Sequence, residues 1–561
     1  MTPQSPRRNG CAFRLVLCIA AGLGSLPVAR AAGSAESAPP FFEGLGAHTR
    51  KITTVSPSAQ RYFDQGMAFL NGFNHAEALR SFQQAAQLDP SSAMAWWGIA
   101  LACGPDINAP MVPPDRSATA WNALKHAQEA SPGCTQTERS LISAQARRFA
   151  NPQPNDRSPL DRAYADAMRE VWLAHPTDAD VGALFAEALL DLRPWDQWTA
   201  TGDPQPGTEE VVATLRAVLK LDPRHPLANH LWIHALEASP HPEQADSAAD
   251  MLRELQPGVG HIVHMPSHID VRCGRWEEAI IANEKAIQAD DHYRDVSGKP
   301  LGFYRFYMAH NAHMLVFAAM MSGRSELAIR HIRAMVADMP AGWVKENAPY
   351  ADPYVSMPYE VLVRFGKWDE ILAEPEAAEY LPISRALRLA TRGIAFTAKG
   401  NLADARVEQE AYLKAVGALA PNLSYGENRL PAVLAVATHM LSGELLYREG
   451  KIDEGLVQLR EAVKSEDALR YDEPPDWILP ARHALGAALL EAGRTAEAEQ
   501  VYRADLARLP DNGWSLFGLA RCLQLENKPL EAAPVETRFE KVWAKADLQL
   551  SSSCLCRAGG R

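Results

Sequence analysis

The stretch that decides the fold is residues 227–289, LANHLWIHALEASPHPEQADSAADMLRELQPGVGHIVHMPSHIDVRCGRWEEAIIANEKAIQA. Ala245 and Ala279 are 34 residues apart, and so are Leu252 and Ala286. A period of 34 residues is the length of two antiparallel helices and their turns, and such a unit buries its apolar face only by stacking on its neighbours. The stretch therefore predicts a stack of helix pairs.

Similar units lie on both sides of this stretch. The most regular one carries small, aromatic and proline residues at fixed places: Gly66, Phe69, Ala78, Phe82, Ala85 and Pro90. Others span 393–412, 443–462 and 486–510 with a glycine between their helices (Gly400, Gly450, Gly493), and a degenerate copy ends in RFGKW at 364–368. The pattern resembles the tetratricopeptide repeat (TPR) superfamily. The resemblance implies an all-α solenoid, a right-handed superhelix of helix pairs with loop insertions and one concave surface. It implies no particular function, because such arrays host many.

The chain divides into six predicted segments. Residues 1–32 read as a signal peptide, with Arg7 and Arg8 before an apolar stretch at 13–28 and an A-x-A site at 29–31. A flexible leader is expected at 33–57, N-terminal repeats with insertions at 58–225, central histidine-rich repeats at 226–345, C-terminal repeats at 346–544 and a polar Cys-x-Cys tail at 545–561. The expected location is the periplasm or the extracellular space; Sec and twin-arginine export both stay open.

Composition excludes some partners. The net charge of −12 argues against a nucleic-acid partner, because such proteins neutralise phosphates with Lys and Arg. After the leader, we find no stretch with the roughly 18 apolar residues that a transmembrane segment needs. The motifs of common serine hydrolases, nucleotide-binding proteins and zincins (G-x-S-x-G, Walker A, Rossmann, H-E-x-x-H) are absent.

Histidine is concentrated in the centre of the chain. Nine of the 17 histidines lie between His230 and His313, where an even spread over 561 residues predicts about 2.5. Their spacings of three and four residues place each group on one helix face. The phrases GFNHAEALRSF, NHLWIHALE, HMPSHI and YDEPPDW are similar to a group of exported bacterial TPR proteins with a histidine-rich centre, a resemblance that implies no activity.

The TPR register predicts where these side chains point. In the family, the first helix of each unit lines the concave surface, chiefly through its second, fifth, ninth, twelfth and thirteenth residues. Seven histidines occupy such positions on three consecutive helices: His230, His234, His261, His264, His268, His310 and His313. Three carboxylates occupy them as well: Glu187, Asp191 and Glu237. Pro266 interrupts this pattern, because it either kinks its helix or begins a new one after His264.

Converging imidazoles and carboxylates predict a site for a transition metal, namely Cu, Zn or Fe, which the sequence does not distinguish. The three carboxylates are candidate ligands or supporting groups, and Glu237 or Glu187 is the candidate general base for a metal-bound water. Two function classes stay open. One is a metal-dependent oxidative or hydrolytic enzyme, and the other is a non-catalytic scaffold that binds metal, or a peptide or protein in the same groove.

Other segments allow two interpretations each. The insertions at 104–114, 193–206 and 290–306 either roof the groove or are tolerated surface loops. The loop YDEPPDW at 471–477 either closes the far side of the groove or is an ordinary loop. Cys554 and Cys556 form a C-x-C pair that suits a soft ion such as Cu(I), or else an oxidised or idle tail.

Overall fold

The computed structural model describes residues 38–299 and 301–557. The predicted signal peptide therefore lies outside the described residues. Eight α-helices form the N-terminal part: α1 Pro57–Asn71, α2 His75–Leu88, α3 Ala93–Ala102, α4 Pro114–Ala130, α5 Gln136–Gln145, α6 Ser158–Ala174, α7 Ala179–Leu190 and α8 Thr208–Leu221.

Eight more helices form the histidine-rich centre: α9 Pro226–Leu236, α10 Asp246–Leu255, α11 Gly260–His264, α12 Pro266–Arg272, α13 Trp276–Ser297, α14 Tyr304–Met321, α15 Ser325–Ala337 and α16 Ala341–Glu346. Ten helices and a small hairpin follow: α17 Ala348–Arg364, α18 Trp368–Ala373, α19 Pro382–Ala398, α20 Leu402–Gly417, β1 Ser424–Tyr425, β2 Asn428–Arg429, α21 Leu430–Arg448, α22 Ile452–Asp467, α23 Ala481–Glu491, α24 Thr495–Arg508, α25 Gly513–Leu525 and α26 Pro529–Trp543. Short 3₁₀ turns lie at Ser131–Gly133 and Pro242–Ala245. The prediction of an all-α repeat fold is confirmed.

The helix pairs pack through small residues opposite large rings. A Cβ on Gly66 or on Gly98 would meet the Phe82 ring at 2.5 Å, so only glycine lets α1 and α3 approach α2 this closely. In the last repeats, Gly486 and Gly518 face the Tyr502 ring in the same way, at 2.4 and 2.2 Å. The glycine–aromatic spacing read from the sequence thus sets the distance between neighbouring helices.

Both halves of the repeat array fold back onto its middle. The backbone carbonyl of Asn71, at the end of α1, accepts a hydrogen bond from His230 in α9 at 2.6 Å. From the other side, the Trp276 indole donates to the Pro510 carbonyl at 3.0 Å, and the Trp514 indole donates to the Met320 carbonyl at 2.7 Å. Residues from both halves of the array therefore meet at the central repeats.

The segment before the repeats contradicts the prediction of a flexible leader over its described part. Ile52 is buried. Arg50 binds Asp178 and Asp180 of the fourth helix pair at 2.9 and 2.8 Å. The chain lies along the repeats here because a guanidinium flanked by two carboxylates makes strong charge-assisted hydrogen bonds. From Pro39 onward the chain forms one compact unit, so the predicted boundaries at 225/226 and 345/346 mark repeat regions and do not separate compact domains.

One helix departs from the expectation that no segment after the leader is long and apolar enough to cross a membrane. Among the described residues, α21 alone is long and apolar enough to cross a membrane, with 19 residues and a mean hydropathy of 1.3. Of its most apolar window, 61% is buried within the protein, as is usual for a core helix. The third insertion also differs from the sequence expectation, because α13 continues as helix to Ser297 before the loop begins.

Candidate metal centre

The first of two histidine clusters, triad A, consists of His230 and His234 from α9 and His261 from α11. Their ligand-capable nitrogens all lie within 4.8 Å of one another. The Nε2 atoms of His230 and His234 are 3.1 Å apart. Neither ring nitrogen of His261 has a hydrogen-bond partner among the described residues, although the ring is buried. A buried imidazole without partners is costly unless another group fills the gap.

Triad B repeats the arrangement one repeat later, with His264 from α11, His268 from α12 and His310 from α14. Its ligand-capable nitrogens also lie within 4.8 Å of one another, and the Nε2 atoms of His264 and His268 are 2.8 Å apart. Pro266 begins α12 after α11 has ended at His264. Of the two readings of Pro266, the structure shows a new helix, yet the four-residue spacing still brings the two rings together.

Glu237 joins the two triads. One carboxylate oxygen accepts from Nδ1 of His234 at 2.8 Å, and the other accepts from Nδ1 of His268 at 2.5 Å. Burial alone would raise the pKa of Glu237, but these two histidines outweigh it and lower the pKa to about 2. The carboxylate is therefore ionised, and it holds both Nδ1 atoms as proton donors.

The other member of each short histidine pair, His230 or His264, also has a hydrogen-bond acceptor at Nδ1. Nδ1 of His230 lies 2.6 Å from the Asn71 carbonyl oxygen, and Nδ1 of His264 lies 2.6 Å from the side-chain oxygen of Asn283. The Asn283 amide nitrogen is used elsewhere, since it donates to the Ala279 carbonyl at 2.8 Å. All four Nδ1 atoms thus donate a proton, which leaves all four Nε2 atoms as unprotonated lone pairs in the neutral rings.

Electrostatics keep most of these rings neutral. Burial lowers the pKa of His230, His261, His264 and His310 well below the ordinary value, and neighbouring histidines lower it further. His268 differs, because the Glu237 carboxylate outweighs burial and raises the pKa. Four of the six rings are fully shielded or nearly so, with exposures of 0–1% for His230, His261, His264 and His268. His310 is only half-buried, so triad B is the one with a side toward solvent.

The wall of triad A contains two strained residues. Phe73, in the turn between α1 and α2, has φ 56°, and Trp195, in the second insertion, has φ 55°. Both values fall in the left-handed region that bulky residues avoid. The Phe73 ring lies 4.5 Å from the His230 ring and 5.5 Å from the His261 ring, and Trp195 lies 5.4 Å from His234. Both strained residues thus place an aromatic ring against the histidines of triad A.

Two insertions and the 471–477 loop cover the cluster. The Trp195 indole donates to Asn108 of the first insertion at 2.9 Å. In the later loop, the Tyr471 hydroxyl donates to Glu473 at 2.6 Å, and the other Glu473 oxygen is buried without a partner among the described residues. Burial raises the pKa of Glu473 to about 7, although the nearby His268 opposes this. Of the two readings offered for these segments, the roof agrees with the structure.

Three predicted site residues are not brought into either triad. His313 lies one helical turn after His310; its ring faces Tyr354 at 6.2 Å, and its Nε2 has no partner among the described residues. Glu187 and Asp191 belong to no metal-competent group in the described part of the chain. They cluster around buried Arg148, which pairs with Asp191 and so diverts both carboxylates from the histidines.

Sequence reasoning missed several contributors. The acceptor roles of the Asn71 carbonyl and the Asn283 side chain could not be predicted, because neither group is typical of a metal site in a sequence. A separate cluster was also missed, in which His48 and His225 both contact Asp180, at 2.9 and 3.1 Å. His48 is half-buried there. The contact of Arg50 with the same aspartate makes this third cluster an ion-pair network.

Comparisons with known proteins add little to this description. No family model matches the chain, and no curated protein matches it. Solved structures that it matches include the human IFIT1 dimer with m7Gppp-AAAA, at 14% identity and a TM-score of 0.33, over 88% of this chain and 92% of that one. Others are the APC/C hetero-tetramer Cut9-Hcn1, at 14% and 0.31 over 83% and 76%, and the P58(IPK) TPR domain, at 13% and 0.21 over 84% and 99%. At these values we draw no conclusion from them. The 34-residue period and the stacked helix pairs themselves show an all-α repeat fold.

Proposed function

We propose that the central repeats bind two transition-metal ions, one in triad A and one in triad B, and that metal binding is the function of this part of the protein. The observation that carries the proposal is the pair of short Nε2 to Nε2 distances, 3.1 and 2.8 Å, between rings whose Nδ1 atoms all face acceptors. Two imidazole lone pairs that face each other repel. A cation shared by both nitrogens turns that repulsion into attraction.

The distances suit a metal ion. Two nitrogens that each lie about 2.0–2.1 Å from one ion stand about 2.8–3.4 Å apart at angles of about 90–110°. Both observed distances fall in this range. Three nitrogen donors in each triad, with Glu237 as an outer partner, match sites for Zn, Cu or Fe, in which a carboxylate orients the ligating histidine. A proton shared between two Nε2 atoms would also explain a short contact. It would not explain triad A, because the buried His261 ring would still have no partner.

Three histidines leave one coordination position open at each ion, which is the arrangement of catalytic rather than closed structural sites. We therefore propose that the centre belongs to a metal-dependent enzyme of oxidative or hydrolytic type. Triad B is the candidate reaction side, because His310 keeps contact with solvent and Glu473 has a free carboxylate oxygen nearby. Of the two predicted general bases, Glu237 is bound at both oxygens and Glu187 lies in the Arg148 cluster. Glu473 is the better candidate to accept a proton.

The alternative of a peptide-binding scaffold has less support at this site. A bound peptide needs an accessible groove, and six of the seven predicted histidines are at most 5% exposed. TPR-type arrays bind partners on other surfaces too, so a protein partner elsewhere on the repeats is compatible with the metal centre. We also propose export to the periplasm or extracellular space, which rests on the leader sequence alone.

Elemental analysis tests the proposal. The protein is purified without affinity metal from its native compartment, and metal is measured per chain before and after dialysis against chelator. We expect about two ions per chain, one for each triad. A His234→Ala, His268→Ala double variant should contain none, while His241→Ala, at an exposed histidine, should keep both. Protein that contains no stoichiometric metal and gains none on addition of Zn, Cu or Fe would contradict the proposal.

A further inference from the structure

The polar C-terminal tail does not extend away from the repeats but lies buried against the C-terminal helices. The Ser553 hydroxyl contacts the Tyr502 hydroxyl at 2.6 Å and donates to the His483 carbonyl at 2.9 Å. Arg364 donates to the Ser553 carbonyl at 2.9 Å, and Arg448 donates to the Cys556 carbonyl at 2.9 Å. Four helices, α17, α21, α23 and α24, thus hold one short segment in place.

This docking brings two thiols and a carboxylate together. Sγ of Cys554, Sγ of Cys556 and a carboxylate oxygen of Glu444 lie within 4.8 Å of one another. Both cysteines are free and 5% exposed. Glu444 is 1% exposed; one of its oxygens accepts from Arg557 at 2.9 Å, and the other is buried with no partner among the described residues. An unpartnered buried carboxylate oxygen beside two thiols indicates a missing cation or proton donor.

The charges around the thiols favour their ionised form. Arg364 is buried and stacks over Trp514 at 3.6 Å, yet its hydrogen bonds go to neutral groups, His483 and the Ser553 carbonyl. Arg448 and Arg557 add two positive charges, which the carboxylates of Glu444 and Glu491 balance. The Asp505 carboxylate, which binds the other side of the His483 ring at 2.9 Å, balances Arg364. Arg364 and Arg557 thus place positive charge beside the two thiols, where it stabilises thiolates.

We infer that Cys554 and Cys556 bind one soft monovalent metal ion, Cu(I), through their two thiolates, with Glu444 beside it. Two thiolates and one monovalent ion leave one negative charge, which the neighbouring guanidinium groups of Arg364 and Arg557 stabilise. The donor set agrees, because thiolates select Cu(I). Two sulfurs at about 2.3 Å on either side of an ion stand at most about 4.6 Å apart, within the spacing that the site allows. Zn²⁺ usually takes four donors, and this site offers three. Binding releases the thiol protons to solvent and involves no change of oxidation state.

This site is independent of the histidine triads, so it is tested at the two sulfurs directly. Reduced protein is incubated anaerobically with one equivalent of Ag(I), a redox-inert substitute for Cu(I), and then denatured in iodoacetamide. The alkylation of each cysteine is read by peptide mass spectrometry. We expect the tail peptide to be protected and Cys134, which is also buried but stands alone, to be alkylated as in metal-free protein. Equal alkylation of the tail and of Cys134 would overturn the inference.

Competition with a chromogenic Cu(I) chelator supplies the affinity. Cys556→Ser should weaken Cu(I) binding at least about tenfold, as loss of a ligand does. Cys134→Ser should leave Cu(I) binding unchanged. To separate this site from the triads, both variants are compared in a His234→Ala, His268→Ala background. Cu(I) affinity that is the same in Cys556→Ser and in Cys134→Ser would also overturn the inference, whether or not the triads bind metal.

Discussion

Glu237→Gln is the sharpest test of the histidine centre, because it replaces a hydrogen-bond acceptor by a donor while the side chain keeps its shape. The carboxylate accepts a hydrogen bond from Nδ1 of His234 and from Nδ1 of His268. A glutamine offers one oxygen and one NH₂ group in the same space, so it can accept from only one of the two rings. The other ring must turn its lone pair to the amide and carry its proton on Nε2. That nitrogen is then lost as a ligand.

The expected loss of metal affinity follows from the role of Glu237, which hydrogen-bonds two ligand histidines without binding the metal. Loss of such a partner typically weakens metal binding about 10–100-fold, or about 1.4–2.7 kcal/mol. At free metal equal to about 100 times the wild-type Kd, each site stabilises the folded protein by about 2.7 kcal/mol. A 100-fold loss at one triad would reduce this to about 0.4 kcal/mol there. We therefore expect the metal content to fall from about two ions to about one at limiting metal, and the chelator-sensitive stabilisation to fall by nearly half.

Denaturant unfolding with and without chelator, together with metal analysis, measures both quantities. Glu187→Gln is the matched control. Burial raises the pKa of Glu187 to about 8, so this side chain is largely protonated at neutral pH and a glutamine resembles it closely. It should keep wild-type metal content and the full chelator effect. If Glu237→Gln retains both ions with unchanged affinity, the tautomer argument is refuted, and the short Nε2 contacts need another cause.

Three further predictions concern the same region. In chelated protein, the stability that depends on His230, His261, His264 and His310 should be lost as the pH drops below about 6.5, because these rings bind protons only when the protein unfolds. Buried carboxyls with a raised pKa, such as Glu187 and Glu473, act in the opposite direction, so the quantity to measure is the difference in free energy of unfolding between wild type and His261→Phe. A difference that stays constant in urea melts between pH 7.5 and 5.5 would contradict the lowered pKa of His261. His310→Ala should weaken metal binding at triad B about 10–100-fold or more, whereas His313→Ala should leave binding at both triads unchanged, and isothermal titration that finds the reverse would show that the ligand has been misassigned. Gly260→Ala should destabilise the protein by about 1–3 kcal/mol, because its Cβ would meet the Asp290 carboxylate at 2.0 Å, while Gly342→Ala, with open space around it, should cost nothing; equal melting temperatures for the two variants would argue against this tight contact.

The histidine positions follow from the sequence because they depend on one local rule. The 34-residue period puts His230 and His264 at equivalent positions of consecutive repeats, as it does His234 and His268. Because consecutive repeats stack, equivalent positions lie next to each other in the structure. Of the three predicted carboxylates, Glu237 follows the same rule. Glu187 and Asp191 do not, since Asp191 obeys the register but pairs with buried Arg148 from another helix pair. Contacts that depend on chain closure, such as the Asn71 carbonyl at His230, carry no local signal and cannot be predicted from periodicity.

The closure of the array has a consequence for how such a protein can evolve. An open solenoid gains or loses a repeat with little effect elsewhere, because each unit contacts only its neighbours. Here the hydrogen bond from His230 to Asn71 spans 159 residues, and that from Trp276 to Pro510 spans 234. An inserted or deleted repeat would rotate one end away from the middle and break these contacts. The number of repeats is therefore fixed by the fold, and sequence change is confined to substitutions and to the lengths of loops.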